Sequence, residues 1–429
     1  VYKRQMPNQF AITPRHLAAK CPNHRPAIGW MPLAMILSIM IVPMFGCDDS
    51  ASPKSNPTDK ASDDGPAQPL KLQVVDAPAL ADTIRREWTA QTQSQVEVVS
   101  VARANLDVSD TDILIFPSGM LGELADRRQI APWPSTPSNA QGTLDSEYSW
   151  DDVFPLIRRQ EIRWGESTYG VSFGSPQFVL YYRADLFEDW GLQPPETWDA
   201  YQELLDKIDT RFAEDPDNQL AATAEPYGEN WAARILLARA AASARHRSQY
   251  STLFHFTSMK PHINRKPFVR ALEQLLEAAR AQPNRLDATP AETSQAILSG
   301  QSVMAISWPS AARPSTASQG DLRIGFAPLP GSYETYSHAD DQWQPKSDTD
   351  DLRVPLLGIS GRIGAVCRRS RQPQQAREML LWLTSLEQSG RVSAKSPWTT
   401  VFRNSQRNQA GAWVESELTS VAGQYFDVV

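Results

Sequence analysis

The pentapeptide Gly170-Val171-Ser172-Phe173-Gly174 matches G-x-S-x-G, the sharp turn that presents a nucleophilic serine in α/β-hydrolases. That chemistry needs a strand before the serine, a helix after it, and an acid and a histidine later in the chain. Here Pro176 and the apolar run Phe178–Tyr182 follow instead. His246, His255 and His262 lie in a poorly patterned segment, and His338 lies in a polar one. A glycine-flanked strand explains the pentapeptide better than a nucleophile does. Asp348, Asp350 and Asp351 have the oxygen donors that calcium takes, but a solvated acidic loop has the same composition. No G-x-x-x-x-G-K-[ST] phosphate loop, H-E-x-x-H pair or C-x-x-C pair occurs. The sequence therefore assigns no catalytic residue, no metal site and no cofactor.

A net charge of −7 over 429 residues argues against a nucleic-acid binder, which carries a basic stripe. The 13 tryptophans and 11 tyrosines supply faces of the kind that stack on sugar rings. Three cysteines, Cys21, Cys47 and Cys367, make no disulfide framework. Trp30 to Phe45 is an apolar run of about 16 residues, short of the roughly 20 that span a bilayer. Arg15, His16, Lys20 and Arg25 precede it and Gly46-Cys47 follows, the layout of a secretory signal. Met44-Phe45-Gly46-Cys47 resembles a lipobox, which makes Cys47 the expected lipidation site and 1–46 the signal peptide. Residues 47–69, rich in Ser, Asp, Pro and Ala, read as a disordered tether.

From Leu70 the chain alternates strands and helices, which predicts an α/β protein with a mostly parallel sheet. Leu70–Val75, Val96–Val101 and Asp112–Phe116 are the first strands. Ligands of open α/β sheets sit at the carboxyl ends of strands, which points to Asp76 and to Phe116-Pro117-Ser118. Phe178–Tyr182 is a buried strand. Asp185 is placed to cap a helix that Gly191 closes, and Thr197 to cap another with Trp198, Tyr201, Leu204, Leu205 and Ile208 on one face. Phe268, Ala271, Leu272, Leu275, Leu276 and Ala279 mark an amphipathic helix. Thr289-Pro-Ala-Glu292 is a capping box that opens a helix ending at Gly300. Gly331–Leu352 reads as a long polar loop, Val354–Ser360 as a strand and Pro373–Leu386 as a helix.

The stretch YGVSFGSPQFVLYYRADLFEDWGLQPPETWDAYQELLDKI (169–208) resembles the signature segment of bacterial extracellular solute-binding proteins of the sugar-binding type. Glu225-Pro226-Tyr227 resembles the lead into the next helix in maltose-binding members, whose tyrosine contacts sugar. Ser302–Ser310 is similar to the family's A-M-x-x-x-G-P-W strand, with Trp308 at the glycine position and Ser310 at the tryptophan position. The resemblance covers about residues 70–425. It implies a two-lobe periplasmic-binding-protein type II fold with a hinge and an interlobe cleft. Lobe 1 takes 70–171 plus 358–388, and lobe 2 takes 174–354 plus 389–429. The expected ligand set is Asp76, Phe116, Ser118, Phe173, Ser175, Gln177, Tyr227, Trp231, Trp308 and Trp398.

The implied function is capture of a solute, a sugar or oligosaccharide, by hinge closure, and its delivery to the permease subunits of an ATP-driven (ABC) importer. The expected form is a monomer, lipid-anchored at the periplasmic face of the cytoplasmic membrane, with the outer membrane or cell surface as alternatives, and with no catalytic step of its own. Two alternatives remain: a tethered sensing lipoprotein without a transporter, and a secreted serine hydrolase using Ser172.

Overall fold

The computed structural model describes residues 68–92, 95–133, 148–215, 219–246, 251–314, 322–354 and 360–429. The expected signal peptide, Cys47, nearly all of the tether and residues 355–359 lie outside these.

Leu70–Val75 (β1) pairs in parallel with Val96–Val101 (β2) on one edge and with Ile113–Pro117 (β3) on the other. Arg163–Trp164 (β4) and Ser167–Thr168 (β5) form a small hairpin, and Val171–Ser172 (β6) follows. The chain then leaves for a second sheet built from Val179–Arg183 (β7), Ala221–Ala224 (β8), Ser302–Ser307 (β9) and Ile324–Pro328 (β10), in the order β10-β7-β9-β8. After a hairpin of Glu334–Ser337 (β11) and Gln342–Pro345 (β12), Arg362–Val366 (β13) returns to the first sheet, whose order is β2-β1-β3-β13-β6.

Each sheet carries its own apolar core. In the first, Leu72, Val74, Ile113, Ile115 and Phe116 pack with Ile363, Met379 and Leu380. Full burial of such a side chain stabilises by about 1.5–3 kcal/mol. Cys367 is part of this core, 1% exposed. In the second, Leu180 and Ile306 meet Trp198, Tyr201, Leu205 and Ile208, the inward face of helix Trp198–Ala213. The lobes are joined where β6 passes into Phe178 and again before β13. At a third place, Val401 belongs to a lobe 2 core while the next residue, Phe402, belongs to that of lobe 1. Val392 also packs in lobe 1, so residues from 389 to 402 are shared between the cores.

Several local expectations hold. Thr197 Oγ1 accepts the Ala200 N–H at 3.1 Å, Gly191 closes its helix at φ +63°, and Thr289 and Glu292 form the reciprocal capping box. Others need correction. The first sheet is parallel except for β13, which returns from the other lobe and pairs antiparallel with both β3 and β6, and the second is mixed, with β7 antiparallel to both β9 and β10. Arg183, not Asp185, is the cap of helix Ala184–Trp190; the Asp185 carboxylate accepts from Arg183 Nε at 2.9 Å. Gly331–Leu352 is not a structureless loop, since β11 and β12 pair across it. Of the expected strand Val354–Ser360, residues 355–359 lie outside the described residues, and β13 begins at Arg362. Leu272 and Leu276, expected on the buried face of helix Lys266–Arg280, are 45% and 50% exposed, because Phe268, Ala271 and Ala278 face the core instead. No helix among the described residues is long and apolar enough to cross a membrane.

Candidate functional site

Ser172 occupies a β-bridge residue on β6, is 1% exposed, and its Oγ accepts the Gly174 N–H at 2.9 Å. Its hydroxyl thus holds the backbone of the passage between lobes. Gly174 has φ +96°, a conformation open to glycine, and its α-carbon lies against the Thr400 backbone.

Around this passage the carboxyl edge of the first sheet gathers polar groups. Ser118 N donates to Gly361 O at 2.9 Å. Asp76 is exposed at φ +49°, its Oδ1 accepts the Arg103 N–H, and its carbonyl accepts from Arg362 Nη2 at 3.3 Å. Arg362 also donates to Ser360 O at 3.1 Å and has no hydrogen-bond partner for Nε among the described residues. Burial lowers its pKa to about 10, with Asp76 acting in the opposite sense, so it remains a cation at neutral pH.

The second lobe answers with an aromatic cluster. Phe178 meets Trp231 and Trp308 edge-on at centroid distances of 5.9 and 5.7 Å. Trp231 and Trp398 are parallel to within 4°, 6.4 Å apart, and Trp308 lies 5.5 Å from Trp231 and 6.2 Å from Trp398. Trp308 is the buried base, held by Nε1 donating to Pro397 O at 2.9 Å, while Trp231 and Trp398 are half-buried. The Arg362 guanidinium lies 5.8 Å from the Trp398 ring, which joins the polar edge of one lobe to the aromatic face of the other. Cation–π contacts of this kind contribute about 0.5–2 kcal/mol. Tyr227 packs in the same core; its hydroxyl has no hydrogen-bond partner among the described residues, and burial, then the neighbouring Glu225, raises its pKa.

The structure thus brings Trp231, Trp308 and Trp398 together, with Tyr227 in the same core, and places Asp76 and Ser118 near Arg362. Ser175 is buried beside Gly361, and Gln177 is half-buried at the passage. Phe116 and Phe173 are each 0% exposed inside the lobe 1 core, where packing leaves no face for a ligand.

Two polar residues at this edge escaped the sequence reading. Arg362 had a signal, a charged residue opening the apolar run Ile363–Val366. Glu161 had none, since IRRQE looks like a solvated turn. In the structure Glu161 is 8% exposed and neither carboxyl oxygen has a hydrogen bond among the described residues. It lines a cavity of about 550 Å³ with Ser118, Gln160 and Ser360. Burial raises its pKa, partly opposed by the Ser175 and Ser118 hydroxyls. The folded protein therefore keeps a proton that the unfolded chain has released, and stability falls as pH rises from the ordinary glutamate range through the raised value. Glu161→Gln should raise the unfolding free energy at pH 7 by roughly 1–3 kcal/mol, because the amide stays neutral without taking up a proton and so avoids the extra cost of burying an ionisable group. The gain should vanish well below pH 4, where glutamate is protonated in both states. Thermal unfolding of both proteins across that range checks it; an equal gain at every pH would show that ionisation of Glu161 is not the cause.

The sequence profile described as bacterial extracellular solute-binding protein matches residues 83–416. No curated protein matched in a direct sequence comparison. Among solved structures, the chain is similar to an ABC transporter solute-binding protein of Agrobacterium radiobacter K84 in complex with ribitol, at 15% identity and TM-score 0.58, covering 83% of this chain and 86% of that one. It is also similar to one from Agrobacterium vitis S4 with bound D-mannitol, at 17% identity and TM-score 0.54, covering 84% and 83%. Maltose-bound MalE3 of T. maritima matches at 16% identity and TM-score 0.55, covering 84% and 87%.

Proposed function

We infer, for a chain that belongs to the bacterial extracellular solute-binding proteins, that its cleft takes a polyol or sugar and delivers it to the permease of an ABC importer. The observation that carries this reading is the convergence of Trp231, Trp308 and Trp398 opposite Arg362. Polyol and sugar sites combine apolar faces for C–H surfaces with a few fixed polar groups for hydroxyls. Arg362, Ser118 and Gln177 supply the polar part, and the indoles supply the faces. Ribitol, D-mannitol and maltose in similarly folded proteins support the same class.

No bond is made or broken in this chain. The buried Ser172, whose hydroxyl is committed to Gly174, supports a binding role over a hydrolytic one. Cys47 would hold the protein at the outer face of the membrane through lipid, and the lobes would close on the solute about the passage near Gly174.

A thermal-shift screen over ribitol, D-mannitol, maltose and a set of unrelated solutes tests the assignment, because a ligand that binds only the folded state raises the melting point. Trp398→Ala and Trp231→Ala should each weaken the stabilising ligand by at least about tenfold, the loss typical of a buried aromatic anchor. If amines or organic anions stabilised the protein and no polyol or sugar did, the assignment would be withdrawn.

A further inference from the structure

Among the described residues, nine of the thirteen large apolar side chains that stand exposed fall between Leu253 and Leu286. Monomeric proteins rarely leave such a concentration uncovered without a partner for it. The densest part is a short hairpin. His255 N donates to Lys260 O at 2.9 Å and His262 N to Leu253 O at 2.8 Å, with Phe254 and Pro261 bridged between them. Its tip is held in shape from within, since His255 Nδ1 stands 3.0 Å from Ser258 Oγ and accepts the Ser258 N–H at 3.3 Å. Met259 turns the tip at φ +53°, a left-handed conformation unfavourable to a long side chain. Phe256 and Met259 are 66% and 64% exposed there, and Ile263 just beyond is 59% exposed.

The charge carried by this segment itself has one sign. From Ser251 to Leu272 there is no aspartate or glutamate, while Lys260, Arg265, Lys266 and Arg270 are all present, in a chain of net charge −7. Lys266 is paired with Asp341, and Arg270 with Asp199 and Glu334. Lys260 and Arg265 form no ion pair among the described residues. A preformed loop with aromatic and aliphatic side chains at its tip and cations at its base fits an anionic lipid surface. The apolar tip enters the acyl boundary, and the cations stay with the headgroups.

We propose that the hairpin Leu253–His262, with Ile263 and Arg265, is a docking element for an anionic membrane surface. The proposal does not depend on the cleft or its ligand. A second copy of the chain is the competing occupant, and the two make opposite demands on lipid and on protein concentration.

Hydrogen exchange of the full chain, read over residues 253–263, separates them. With phosphatidylglycerol vesicles the tip amides should exchange at least about tenfold more slowly, since local opening now requires withdrawal from lipid. Neutral phosphatidylcholine vesicles should give much less protection. Phe256→Ser with Met259→Ser should abolish the protection, and Lys260→Glu with Arg265→Glu should remove the preference for the anionic lipid. Ligand-induced stabilisation should stay unchanged in all of these. Unaltered exchange on phosphatidylglycerol would overturn the proposal. So would equal protection on neutral vesicles, or protection that grows with protein concentration in the absence of lipid.

Discussion

Arg239→Met should lower the unfolding free energy by about 3–5 kcal/mol, the cost of leaving a buried charge without its partner. Arg239 and Glu225 have fully buried side chains, and Arg239 Nη2 reaches both carboxylate oxygens at 2.7 Å. Burial is the largest influence and opposes the arginine's charge, but Glu225, Tyr227 and Tyr201 together outweigh it and the pKa stays above the ordinary value. The rest of the shell is built for that pair. Tyr201 donates to Glu225 at 2.9 Å, Gln282 accepts the Glu225 N–H at 2.7 Å, and the guanidinium lies 4.3 Å from the Trp198 ring. In Arg239→Met the carboxylate stays buried with the Tyr201 hydroxyl but no cation to offset its charge. Replacing both residues, Arg239→Met with Glu225→Leu, should recover most of the loss, because buried ion pairs often exchange for apolar packing at little cost. Urea unfolding of the three proteins measures this. A single variant within about 0.5 kcal/mol of the parent, the range of a surface substitution, would show that the pair is not sealed from water. Since Glu225 leads directly into Tyr227, the single variant should also weaken ligand binding, and the double variant much less.

Gly174→Ala should be nearly as damaging, at roughly 2–5 kcal/mol from left-handed strain and overpacking together. An added Cβ would fall 2.6 Å from Thr400 N and 2.8 Å from its carbonyl carbon, and would overlap the carbonyl oxygen. Thr400 is itself fixed by a hydrogen bond between its hydroxyl and that of Tyr425, so the neighbour cannot easily give way. Gly191→Ala is the matched control. Gly191 also has a positive φ, +63°, but open space where its Cβ would be, so it should lose only about 1 kcal/mol. The difference between the two melting points isolates the clash between the passage and the C-terminal segment. Equal losses would mean that this segment moves aside freely.

Much of this architecture was legible in the sequence because it rests on local rules. Buried strands, the Thr197 cap, the Thr289 box and the glycine helix ends each follow from residues within a few positions of one another. Three of the aromatic site candidates also came together. What could not be read depends on distant neighbours. The alternation of strands and helices does not say that β13 returns from the other lobe to lie antiparallel between β3 and β6. Nothing near Glu161 says that Ser118 and Ser175 will enclose it. The apolar period of Lys266–Arg280 gave no sign that Leu272 and Leu276 would be left uncovered. Phe116 and Phe173 sit at chain positions that approach the cleft, yet side-chain direction, which depends on sheet register, turns them into the core.

The location of β13 between β3 and β6 has a consequence for how the molecule comes to exist. The strands of the second sheet span Val179 to Pro328, so that lobe has its framework before the chain has been made as far as Arg362. The first lobe has β1, β2 and β3 early but must wait for Ile363 and Gly364 to meet Phe116 and Ile115. Until then β3 presents an unpaired edge, an invitation to wrong partners, and the pairing that closes it joins residues far apart in sequence, which is slow. A chain emerging from its N-terminus would therefore pair all the strands of its second sheet first. The sheet that begins the sequence would be the last to have all of its strands.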